Sequence, residues 1–160
     1  MLKILCKNRS IFKYFRSVNS KKRILVAPLD WGLGHASRCV PIAKALEKEG
    51  YELVFAASGR PLKLLIQEFP KNDFIKVEGY NISYPKNGQM ALSMLSQLFK
   101  IWKGIRQEHK QLQQIIDDYN IDGVISDNRY GLHSKKVPCV FVTHQLQIQS
   151  PIFSETLQKI

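Results

Sequence analysis

The chain predicts an α/β fold, a Rossmann-like parallel sheet with helices on both faces. Three observations carry that expectation. Short, continuous apolar runs recur at 24–29, 52–57, 122–126 and 137–142, each bounded by Gly, Pro, Asp or Ser. Such runs suit parallel strands buried on both sides. Segments of helical period lie between the strands, and that alternation favours right-handed crossovers. Finally, 160 residues with 44% hydrophobic and 23% charged content suffice for one well-packed core.

The stretch Arg23–Leu46, RILVAPLDWGLGHASRCVPIAKAL, sets the pattern. Ile24–Leu29 is the first strand, Asp30–Gly34 turns the chain, and a helix follows with Val40, Ile42, Ala43, Ala45 and Leu46 facing inward. Gly50 is placed to end that helix in a left-handed conformation. Glu52–Ala57 is the second strand. Ser58 caps a helix running to Phe69, with Pro61 in its first turn, where a missing N–H costs nothing. Phe74–Val77 is a short third strand.

Residues 78–88 lack a period and read as a loop holding Tyr80, Asn81, Tyr84 and Pro85. Helical spacing resumes near Gln89 and runs to Tyr119. One stripe joins Ala91, Met94, Leu98, Ile101, Ile105, Leu112, Ile116 and Tyr119, and Gly104 marks a break. Leu92, Leu95, Phe99 and Trp102 widen the first half beyond what one sheet covers, which asks for a partner domain, a subunit or a membrane surface. Asp122–Ser126 is the fourth strand, closed by Asp127, and Val137–Val142 is the fifth.

The net charge of +11 is unevenly placed. Residues 1–23 hold eight cations and no acid, so the rest of the chain holds only +3. The expected organisation is a basic arm over residues 1–20 and one α/β domain over 21–160. The arm has the spacing of an amphipathic helix for anionic lipid, or is a frayed start. A body with so little charge and no recognition motif gives no support to nucleic-acid binding. Three scattered cysteines favour a reducing, cytoplasmic setting, and no pair of residues has zinc-ligand spacing.

Ligands of parallel α/β sheets bind beyond the carboxyl ends of the strands. Here that edge collects Asp30–His35, Ser58 and Gly59, Asp127–Gly131, and Thr143–Gln145. Gly32 and Gly34 begin a dinucleotide fingerprint that fails at Ser37, and the second strand ends in Ala56, Ala57 and Ser58 with no ribose-binding acid. Phosphate-loop and nucleophile-elbow patterns are absent as well. His35 at a helix N-terminus remains. The positive helix end favours a neutral imidazole, which can act as a general base when a carboxylate holds its other nitrogen. Asp127 and Asp30 both qualify as that carboxylate. The residues alone leave two readings open: an acid–base pair, or a histidine and an aspartate that cap turns, with Asn128 beside Asp127 favouring a turn. His144 either joins the same site or ends the fifth strand.

The run GLGHASRCVPIAKALEKEGYELVFAASG resembles the opening of glycosyltransferases of GT-B architecture, through Gly32, Gly34, His35, Pro41 and Gly50. The later NIDGVISDNRYG is similar to the Asp-ended strand of many such enzymes. The likeness points to the bacterial N-acetylglucosaminyltransferase-like (family 28 type) group. It implies an inverting transfer from a nucleotide-sugar, a UDP-sugar as substrate with no separate cofactor. His35 would face the acceptor hydroxyl and Asp127 would orient it. Gly32 and Gly34 would let backbone N–H groups approach phosphates, and Arg38, Ser58, Tyr80, Tyr84, Asn128 and His144 would contact substrates. It further implies a second domain or partner subunit that completes the site, and peripheral contact with the inner face of the membrane. The alternative is a non-catalytic flavodoxin-like module docking on a membrane or partner.

Overall fold

In a computed structural model, residues 22–79 and 90–143 are described, with side chains described from Lys100 onward in the last helix. Five strands form one parallel sheet: β1 Arg23–Pro28, β2 Glu52–Ala57, β3 Asp73–Lys76, β4 Gly123–Asp127 and β5 Cys139–Val142. Their order is β3-β2-β1-β4-β5. Three helices are described among these residues: α1 Leu33–Lys48, α2 Gly59–Glu68 and α3 Met90–Asp118. The Rossmann-like α/β expectation is borne out.

Side chains on a strand alternate between faces, and the core divides accordingly. On one face Ile24, Val26, Leu53, Phe55 and Ile125 pack against Ala36, Cys39, Ala43 and Leu46 of α1 and Leu65 of α2. On the other, Leu25, Ala27, Val54, Ala56 and Val124 meet Leu112, Ile115 and Ile116 of α3. The apolar runs are continuous because β1, β2 and β4 are covered on both sides. Val40 and Ile42 pack at the margin of the first cluster. Pro41 lies inside α1 on its exposed side, so the helix forgoes one backbone bond where water can replace it.

Several local expectations are corrected. Gly104 does not break α3, which runs without interruption over 29 residues. A single glycine costs a helix only about 1 kcal/mol, and the packing of Leu112 and Ile116 outweighs it. Asp127 is the last residue of β4 rather than a residue beyond it. Ser58 stands at the N-cap of α2 but makes no side-chain cap, because its hydroxyl is used elsewhere. The arm 1–20, the loop residues Tyr80 and Tyr84, the side chains of residues 90–99 and His144 lie outside the described residues. Among the described residues, no helix is long and apolar enough to cross a membrane.

The order of connections reverses between β1 and β4. β1 continues toward β2 on one side, and β4 lies on the other. A crevice at the carboxyl edge follows from such a switch point. The register sets Pro28 opposite Asp127, and Leu29 N–H donates to the Asp127 carbonyl at 3.0 Å. Asp127 therefore stands beside the turn that leads into α1.

Candidate active site

The β1–α1 turn takes its shape from Gly32, whose φ of 147° lies in the region that favours glycine. Gly32 is the N-cap of α1, so Gly34 and His35 fall in the first helical turn. Gly34 has ordinary φ and an open surrounding, so no backbone demand explains it. Trp31 and Leu33 project into solvent on this turn, 54% and 45% exposed.

His35, Arg38 and Asp127 come together. The His35 ring is mostly covered and the Asp127 carboxylate is fully buried, with His35 Nδ1 3.2 Å from Asp127 Oδ2. Arg38, one turn along α1, forks onto the same carboxylate. Its Nη2 lies 2.9 Å from both oxygens and its Nε donates to Oδ2 at 3.2 Å. Arg38 Nη2 also lies 2.7 Å from His35 Nδ1. A buried carboxylate needs such a partner, since an unpaired charge in that place would be costly. Arg38, expected to reach a substrate, is thus engaged with Asp127.

Asp30, the other carboxylate expected near His35, is committed elsewhere. Its Oδ2 accepts from Ser58 Oγ at 2.8 Å and from Gly79 N–H at 3.0 Å. It ties the ends of β1, β2 and β3 together. Gly79 lies against it so closely that a Cβ there would sit 2.0 Å from Asp30 Oδ1. Ser58 is accordingly a strut of this edge. Asn128, with φ of 56°, makes the turn out of β4 in a conformation asparagine tolerates. Its N–H donates to the Val142 carbonyl at 3.0 Å.

A second polar cluster was not foreseen from the residues. Arg129 is completely buried, with Nη2 2.7 Å from Glu108 Oε1 of α3 and Nε donating to the same oxygen at 2.8 Å. Arg129 Nη2 also reaches the Glu78 carbonyl at 3.2 Å, and Glu108 Oε2 accepts from Gly131 N–H at 3.3 Å. This network pins α3 to the ends of β3 and β4. Gly131 was the trace of it in the sequence, since a Cβ there would meet the Ile105 carbonyl at 2.5 Å.

A groove of about 500 Å³ opens between α3 and the end of β3, lined by Lys76, Glu78, Gly79, Lys103, Gln107 and Gln111 among others. Its lining includes none of His35, Arg38 and Asp127. Residues 80–89, which follow β3 and precede α3 in the chain, lie outside the described residues. Among the described residues no group of three or more His, Cys, Asp or Glu is placed to hold a metal ion.

Cys39 follows Arg38 on α1 and faces the core. Burial pushes its thiol well above the ordinary range, the Asp127 charge adds to this, and Arg38 opposes it. A thiol so held is not a nucleophile. Alkylation mapped by mass spectrometry is expected to leave Cys39 unlabelled in the native chain and to label it in denaturant. Native labelling at the denatured rate would contradict its burial.

Comparison with known proteins accords with this architecture. The sequence profile described as "Glycosyl transferase family 1" matches residues 22–158. An "Uncharacterized glycosyltransferase" of Methanosarcina acetivorans is 27% identical over 139 residues, spanning 79% of this chain and 33% of its own length. The chain thus spans about a third of the curated relatives it matches. Among solved structures, the glycotransferase of kitacinnamycin superposes with a TM-score of 0.60 at 10% identity, over 81% of this chain and 32% of that one. LpCGTa, solved in complex with UDP, gives 0.55 at 13% identity, over 78% and 30%. Likeness at such identities speaks to the fold alone.

Proposed function

The chain belongs to glycosyl transferase family 1, and on that footing we propose that it forms the acceptor-side domain of an inverting glycosyltransferase. His35 takes the proton of the acceptor hydroxyl as its oxygen bonds to the anomeric carbon. The bond from that carbon to the donor phosphate breaks, and a nucleoside diphosphate leaves with the electron pair. Asp127 holds the ring and stabilises the imidazolium that forms. The single observation behind this reading is the 3.2 Å approach of His35 Nδ1 to the buried Asp127 carboxylate at the switch point of the sheet.

The donor in this proposal is a nucleotide-sugar. The UDP bound by LpCGTa supports a uridine nucleotide, and the GLGH turn supports kinship with the N-acetylglucosaminyltransferase-like, family 28 type group. Gly32 and Gly34 keep the turn low enough for a phosphate to approach the N-terminal amides of α1. Sequence outside this chain, or a partner subunit, supplies the rest of the donor site. That is in keeping with the third of the relatives' length that the chain spans. A cytoplasmic protein meeting the membrane surface belongs to the same proposal. Its support is Trp102, 53% exposed with Arg106 stacked on its ring, beside exposed Lys103.

Anomeric configuration tests the mechanism. The complete enzyme is supplied with UDP-sugars and acceptors, and the product's anomeric coupling is read by proton NMR. Inversion relative to the donor is expected. Retention would rule out a single displacement driven by one base, and absence of any transfer across the donor panel would rule out the function.

A further inference from the structure

Two neighbours place opposite demands on His35 Nδ1. Arg38 Nη2 lies 2.7 Å from it and Asp127 Oδ2 lies 3.2 Å from it. A guanidinium only donates, so facing Arg38 the nitrogen must be a bare acceptor. A carboxylate only accepts, so facing Asp127 the nitrogen must carry a proton. A neutral ring satisfies one demand at a time.

The Arg38 geometry decides between them. Its Nη2 carries two hydrogens. Asp127 Oδ1 and Oδ2, both 2.9 Å from Nη2, share one of them, which leaves the other for His35 Nδ1 at 2.7 Å, while Nε–H serves Asp127 Oδ2 at 3.2 Å. Each of these donors is then satisfied, and the Arg38 contact with the ring is the shorter of the two. In this state Nδ1 and Oδ2 share one guanidinium at 3.2 Å, a spacing that already suits the Nδ1–H···Oδ2 bond of the base once Arg38 withdraws.

We propose that Arg38 is a positioning residue that sets the tautomer of His35, holding the ring in the Nε2–H form while it is clamped to Asp127. The inference rests on the reading of His35 as the base. In the clamped state Nδ1 is occupied by Arg38 and Nε2 bears the proton, so the imidazole has no lone pair to offer an acceptor hydroxyl. When Arg38 leaves the carboxylate, Nδ1 takes a proton from solvent and donates it to Asp127. Nε2 gives up its own proton and becomes the basic nitrogen. Arg38 is therefore a latch on the base, and Asp127 changes partner from the guanidinium to the imidazole.

Long-range proton–nitrogen correlation spectra of the ¹⁵N-labelled chain, at about pH 8 where an ordinary imidazole is neutral, test this directly. The His35 signals are identified by their loss in His35→Gln. The wild-type ring is expected to show a bare Nδ1 and a protonated Nε2. Arg38→Met is expected to move the tautomer ratio toward Nδ1–H by about tenfold or more, the scale of one charged hydrogen bond. Should that variant fail to fold, Arg38→Lys keeps the charge but not the fork, and a shift in the same direction is expected. A protonated Nδ1 in the wild type, or a ratio that ignores both substitutions, would overturn the proposal. The spectra need no sugar donor. If transfer by the complete enzyme survived removal of His35 while the tautomer still followed Arg38, the base assignment would fail and tautomer control would stand.

Discussion

Glu108→Ala is expected to destabilise the fold by about 3–5 kcal/mol, the usual cost of stripping one partner from a buried ion pair. Arg129 is fully buried and Glu108 nearly so, so the orphaned guanidinium could not recover its lost partner from water. One further bond fails with it. The Gly131 N–H loses the Glu108 carboxylate, and Arg129 is left with the carbonyls of Val77 and Glu78 at 3.4 and 3.2 Å. Chemical denaturation of the single and double variants checks this. Glu108→Leu with Arg129→Met removes both charges and replaces them with apolar volume, and it should recover most of the loss. A single variant as stable as the wild type would show that the pair does not anchor α3.

This expectation could not have been drawn from the residues alone, for a physical reason. Glu108 and Arg129 lie 21 positions apart on different elements, and on helical spacing Glu108 reads as one more solvated charge. Only the packing of α3 on the sheet brings them together. The strands were legible for the opposite reason. Burial on both faces writes itself as an uninterrupted apolar run, so β1, β2 and β4 lie within a residue of their expected positions; the half-covered edge strand β3 does so too, and only β5 starts later, at Cys139. Turn chemistry was readable where conformation demands a residue, as at Gly32. It misled where a side chain had another use, as at Ser58, whose hydroxyl meets Asp30 rather than its own helix.

The candidate site was legible in part. A histidine opening a helix and an aspartate ending a neighbouring strand were visible as types in position, and the register of Pro28 with Asp127 brings them together. The choice between Asp127 and Asp30 required the structure, because both stand at the same edge. Arg38 required it too. Three residues after a histidine on a helix, an arginine reads as a surface charge reaching for ligand, and the buried carboxylate that claims it belongs to a strand 89 positions later.

The central claim is that His35 is the base. In the complete enzyme, His35→Ala is expected to lower kcat by about 10²–10⁴-fold, the range that one general base supplies. The ring lies outside both apolar clusters, and the turn around Gly32, proposed to face the donor phosphates, is unaltered, so the fold and the donor dissociation constant should stay close to the wild type. Loss of rate with retained donor binding identifies an interaction made in the transition state. The deciding measurement is single-turnover sugar transfer by His35→Ala at saturating donor, beside calorimetric titration of the same variant with the donor. Slow transfer with intact donor binding is the predicted result, and transfer at the wild-type rate would contradict the account.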